Sequence, residues 1–295
     1  MARLMKVADY DGAMFDVSMS RRSALLASAC AWSGSSMAGP LAGRVKIAVK
    51  YHMIQEASLS VREKFELLRE VGLDGVELKI DDKVDHDEVE AVIGKTGVPV
   101  HGIVNAAYPD IVPAVELARR LGSDSVLVLA REDSTLSYDE NFSVWQGNVR
   151  KALPLAEKHG IRLCIENVRA TFLKTGEGMA RFVDSFDSPM VRSYFDLGNT
   201  ITWTEQSAQH WARALGERIY KLDIKDRGHP EFGEAKLKCE GAVGTNGGEV
   251  HWEKVRAILT EVNFGGWATA EVAGGDRQRL AGIAVWMRDV LALEA

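Results

Sequence analysis

Four carboxylates stand out in the sequence because each closes an apolar run. Glu166 follows Leu163-Cys164-Ile165, Asp196 follows Tyr194-Phe195, Asp223 ends Lys221-Leu222-Asp223, and Glu271 follows Ala268-Thr269-Ala270. A charged group at the end of a buried strand is costly unless it meets a partner or a ligand. A helix cap or an ion pair would explain one such residue. Four in succession, carried to one mouth, would repel one another and call for a cation. Oxygen donors alone favour a hard ion, so Mn²⁺ or Mg²⁺ is expected ahead of Co²⁺ or Zn²⁺. Further polar residues end or follow apolar runs: Lys50 and His52, Glu77, His101, Asn167, Asn199 and Lys225.

The elements that must position these residues show in the hydrophobic periodicity. Short β-rich runs fall at 45–50, 75–78, 98–103, 125–129, 162–166, 192–196, 219–224 and 268–272. Between most of them lie segments of helical period, over 60–71, 87–96, 112–121, 138–159, 178–186, 253–262 and 277–293. In Val61 to Val71 the apolar residues recur at steps of three and four, with Ser60 as N-cap and Gly72 as stop. Most strands are spaced by about 30 residues, one βαβ unit. Eight units in about 250 residues predict an α/β protein with a single (β/α)8 barrel over 44–295. An open doubly wound sheet is disfavoured, since no Gly-x-Gly-x-x-Gly follows the first strand. Barrels place their chemistry at the C-terminal strand ends, where the four carboxylates would stand. The Gly-rich stretch from Lys225 to Val250 would overhang that face.

Read together, Leu163-Cys164-Ile165-Glu166-Asn167, Tyr194-Phe195-Asp196-Leu197-Gly198-Asn199, Lys221-Leu222-Asp223-Ile224-Lys225-Asp226 and Gly266-Trp267-Ala268-Thr269-Ala270-Glu271 resemble, in order and spacing, the xylose-isomerase-like sugar phosphate isomerase/epimerase family. Gly72-Leu73-Asp74-Gly75-Val76-Glu77-Leu78 and Gly248-Glu249-Val250-His251-Trp252 add to the resemblance, which spans about 45–293. The resemblance implies a metal held by Glu166, Asp196 and Glu271, with the family's His position falling on Asp223. It also implies that Glu166 and Glu271 form the acid–base pair. A metal that chelates adjacent carbonyl and hydroxyl oxygens acidifies the neighbouring carbon, and the two glutamates then move its proton. Four carboxylates around one dication leave an excess of two negative charges, for which Lys225 or Arg227 is a candidate counter-ion. Asn199, His101, Glu77, Lys225, His52 and Trp203 are the candidate substrate contacts, Trp203 by stacking on a sugar ring.

The function expected from this resemblance is a metal-dependent sugar isomerase or epimerase. The alternatives are a lyase or hydrolase of 3-keto-glycosides on the same scaffold, or a non-catalytic sugar-binding barrel. The expected partner is a small sugar or keto-sugar, and a homo-oligomer is compatible with the fold. The net charge of −6 gives no electrostatic reason for nucleic acid, and no apolar run reaches the length of a membrane span. Cys30, Cys164 and Cys239 lie in no metal-ligand spacing. Residues 1–43 carry Arg21-Arg22 before an apolar stretch and a small-residue exit, the parts of a twin-arginine export signal. An exported, periplasmic location is therefore expected, with the cytoplasm as the alternative.

Overall fold

The computed structural model describes residues 39–106, 108–227 and 248–294. Eight parallel strands close a barrel in sequence order: β1 (Val45–Lys50), β2 (Gly75–Lys79), β3 (Val100–Asn105), β4 (Ser125–Val128), β5 (Arg162–Glu166), β6 (Val191–Asp196), β7 (Ile219–Ile224) and β8 (Gly266–Ala270). The closing pair is β1 with β8, in register from Val45 opposite Gly266 to Val49 opposite Ala270. The (β/α)8 expectation is met. Outer helices are α1 (Val61–Glu70), α2 (His86–Thr96), α3 (Val112–Leu121), α4 (Tyr138–His159), α5 (Gly176–Asp184), α6 (Leu197–Trp203), α7 (Ala208–Leu215), α8 (Trp252–Glu261) and α9 (Arg277–Leu291).

Local chemistry sets these boundaries. Ser60 and Ser137 each form a capping box, with Glu63 and Glu140 reaching back to the cap backbone. Gly122 and Gly160 end α3 and α4 at φ of 71° and 67°, a left-handed turn that costs glycine little. Asp196 both ends β6 and caps α6, its Oδ1 accepting from the Asn199 backbone N–H at 2.9 Å. That cap ties a candidate site residue to the geometry of the next helix.

The large apolar core lies between the outward strand faces and the helices, with Phe65, Trp211, Trp252 and Met287 fully buried in it. Inside the barrel a smaller apolar cluster of Val104, Leu127, Leu129, Cys164 and Tyr194 fills the side of β3 to β6. The rest of the interior is polar. Among the described residues no helix is long and apolar enough to cross a membrane. Arg21, Arg22 and Cys30, the expected export signal, lie outside the described residues, as do Cys239 and His229 with most of the loop after β7.

Candidate metal centre at the barrel mouth

The four carboxylates come together. Glu166 closes β5, Asp196 closes β6, Asp223 lies next to last in β7, and Glu271 follows β8. Asp196 and Asp223 are register partners on adjacent strands. One oxygen from each of the four lies within 4.8 Å of the others. Asp196 and Asp223 are fully buried, whereas the Glu271 side chain is 34% exposed toward the mouth.

Two lysines enter this cluster. Lys50, the last residue of β1, places its Nζ 2.6 Å from Glu271 Oε1 and 3.0 Å from Asp223 Oδ2. Lys225, just after β7, places its Nζ 2.6 Å from Glu271 Oε2 and 2.9 Å from Asp196 Oδ2. Gly198 makes room for the second lysine, since a Cβ there would stand 2.5 Å from Lys225 Cγ. Lys225 thus takes the counter-ion role expected of it. Arg227 does not; its guanidinium goes to the Ile201 carbonyl and faces Glu249. Lys50, for which the sequence suggests a sugar contact or a rim position, is the second counter-ion.

The electrostatics follow from burial and these contacts. Burial would raise the Glu271 carboxyl, but an ammonium on each oxygen holds it well below the usual range. Burial pushes Asp196 up to about 7, against the pull of Lys225. Glu166 and Asp223 rise well above the usual carboxylate range, through burial first and then the neighbouring negative charges. With all four carboxylates ionised, the two ammonium groups leave a formal charge of −2, a state that a bound dication would favour over the protonated one. Among the described residues, Asp223 Oδ1 accepts no hydrogen bond and Asp196 Oδ2 has only its ionic contact with Lys225. Excess charge, free buried oxygens and an all-oxygen donor set fit one hard dication.

Asparagines hold the centre in place. Asn167 Nδ2 donates to the Asp196 carbonyl at 2.7 Å, and the Asp196 N–H donates to Asn167 Oδ1 at 2.8 Å. Asn199 Nδ2 donates to the Asn167 carbonyl at 2.9 Å and to Glu166 Oε1 at 3.3 Å. Asn199, expected to touch substrate, is 3% exposed and orients a carboxylate instead. Trp203 ends α6 at the rim, 36% exposed, with the Arg169 guanidinium 4.6 Å from its ring centre. His52 is exposed on the turn after β1.

His101 and Glu77 are not at the mouth. The sequence places the third strand over 98–103 with His101 toward its site end, but β3 runs from Val100 to Asn105 and leaves His101 as its second residue. The ring stacks on Trp267 at 4.4 Å, near the start of β8, and Nδ1 meets Lys221 Nζ at 2.8 Å. Burial first, then the Lys221 charge, keeps this imidazole neutral. Glu77 is enclosed, its Oε2 accepting from Tyr194 OH at 3.3 Å. Both expectations of substrate contact are corrected by this placement.

Fold and site together define a (β/α)8 barrel with an acidic, cation-ready mouth. The model of the xylose isomerase-like TIM barrel family matches residues 65–290, and the chain belongs to that family. Among solved structures it is similar to the 3-keto-D-glucoside 4-epimerase of E. coli, at 17% identity over 83% of this chain and 100% of that one, with a TM-score of 0.66. It is also similar to the D-allulose 3-epimerase of Methylomonas sp. in complex with D-allulose, at 18% identity over 86% and 99%, TM-score 0.66. A third is the IOLI protein with a bound zinc atom, at 14% identity over 84% and 98%, TM-score 0.68. No curated protein matches the sequence.

Proposed function

We propose that the protein is a sugar isomerase or epimerase that moves a proton on the carbon beside a carbonyl, with one divalent ion held by Glu166, Asp196, Asp223 and Glu271. The observation that carries this reading is the four-carboxylate cluster with its unanswered charge at the catalytic end of a barrel. When bound, the ion polarises chelated substrate oxygens and acidifies the adjacent C–H. Glu166 and Glu271 stand three strands apart, so each addresses one side of a substrate carbon; one removes the proton and the other returns one. Lys50 and Lys225 fix both oxygens of Glu271, and Asn199 orients Glu166. Trp203 offers an apolar ring at the rim for the face of a sugar.

Relatives of this shape that act on keto-sugars support the substrate class, and the epimerase of a 3-keto-glucoside supports a keto-glycoside in particular. Mn²⁺ or Mg²⁺ is the ion favoured by the oxygen donors. We further propose that residues 1–43 direct export by the twin-arginine route. The proton-transfer reading is tested by incubating keto-sugars and 3-keto-glycosides with the protein in D₂O. Deuterium should enter beside the carbonyl, and Glu166→Gln or Glu271→Gln should slow its uptake at least about 100-fold, because an amide cannot act as a base. Release of an aglycone would instead indicate the lyase reaction, and binding without exchange a sugar-binding barrel.

A further inference from the structure

We infer that Lys50 is a built-in counter-cation that offsets the charge of Asp223 and so holds down the affinity of the acidic mouth for a divalent ion. The inference rests on the metal reading above and extends the role of Lys50 from holding Glu271 to setting the affinity for the ion. Lys50 ends β1 and is 3% exposed, so its ammonium has little access to water. Its Nζ donates to two candidate ligands of the ion, Asp223 at 3.0 Å and Glu271 at 2.6 Å. Asp223 is the complementary half of the arrangement. It is fully buried, with one oxygen on Lys50 and the other accepting no hydrogen bond.

An ammonium about 3 Å from a ligand oxygen, in a barrel that excludes water, opposes the approach of a second cation to the same carboxylate. At such separations one unit charge is worth orders of magnitude in affinity. The β1 lysine and the β7 aspartate therefore act as a charge pair. Removing the lysine alone leaves an extra negative charge facing the ion, removing the aspartate alone takes one away, and removing both restores the balance.

The test is Mn²⁺ binding by isothermal titration at pH 8, with thermal unfolding as a second readout. Lys50→Met should bind Mn²⁺ at least about tenfold more tightly than wild type and gain more melting temperature from saturating Mn²⁺. Asp223→Asn should bind at least about tenfold more weakly, and the double variant should return to within a few-fold of wild type. If Lys50→Met alone proves unstable, the double variant, compared with Asp223→Asn, reads the same effect. Weaker or unchanged binding on removal of Lys50, in both backgrounds, would show that Lys50 merely braces the carboxylates and would overturn the inference. No Mn²⁺ binding by any of the four proteins would overturn it too, and the deuterium-uptake assay on wild type then reads separately whether proton transfer occurs without an ion.

Discussion

Two polar layers occupy the same barrel interior, and they treat charge in opposite ways. In the lower layer Lys221, fully buried, is met by His101 Nδ1 at 2.8 Å, by the His101 carbonyl at 2.7 Å and by Asp124 at 2.6 Å. Thr269 Oγ1 links His101 Nε2 at 3.1 Å to Tyr194 OH at 2.8 Å, and Tyr194 passes the network on to Glu77. Its one ammonium is answered within the layer by Asp124 and His101, while Glu77 keeps one oxygen without a hydrogen bond among the described residues. The upper layer gathers four carboxylates, answers two charges with lysines and leaves the rest facing the mouth. A buried charge matched on all sides fixes a structure, whereas one left in excess at an opening waits for a ligand.

Substitutions in the two layers should therefore separate stability from binding. Lys221→Met is expected to cost about 3 kcal/mol, because it strips Asp124 and the His101 carbonyl of their buried partner. For a domain of this size that is a fall of roughly 6–12 °C in melting temperature. Mn²⁺ affinity should stay within a few-fold of wild type. A variant that melts normally but no longer binds Mn²⁺ would place Lys221 in the site and erase the distinction between the layers.

Asp226 is a further buried carboxylate, just outside the cluster, whose oxygens are all answered. Its Oδ1 accepts from the Glu249 and Val250 N–H groups and its Oδ2 from Trp252 Nε1, at 2.8 to 2.9 Å. An amide can accept at only one of those two positions. Asp226→Asn should cost about 1–2 kcal/mol, a melting shift of roughly 2–8 °C, with ligand binding retained. Unchanged melting would mean that these bonds do not hold the chain where it re-enters the barrel. The smallest effect is expected at the rim, where Trp203→Ala should raise KM about three- to tenfold with kcat nearly unchanged, since only a stacking face is lost. A fall in kcat alone would instead tie Trp203 to the chemistry.

Much of this was legible in the sequence because strand ends on the site side carry a sharp switch from apolar to charged residues. Glu166, Asp196 and Asp223 lie at such ends, and their strands match the sequence reading to within about a residue. β3 was misplaced because Asn105 closes it with a neutral polar residue, which looks like a loop when the barrel interior is assumed apolar. The short α6 went unread, since its N-cap is the site residue Asp196 and its body is rich in β-branched threonine and isoleucine. Lys50 could not be assigned from local pattern, because Asp223 and Glu271 lie 173 and 221 residues away. Only closure of β1 against β8 brings them together.

The central claim is that the upper layer's unanswered charge is the seat of one divalent ion needed for proton transfer. The most direct measurement is Mn²⁺ stoichiometry on chelator-stripped protein, followed in the same samples by solvent deuterium uptake into a keto-sugar. One Mn²⁺ per chain is expected, with exchange that is lost on stripping and restored on reloading, and neither binding nor exchange in Asp196→Ala, whose fold should remain intact. Full-rate exchange by stripped protein, or one Mn²⁺ still bound tightly by Asp196→Ala, would contradict it.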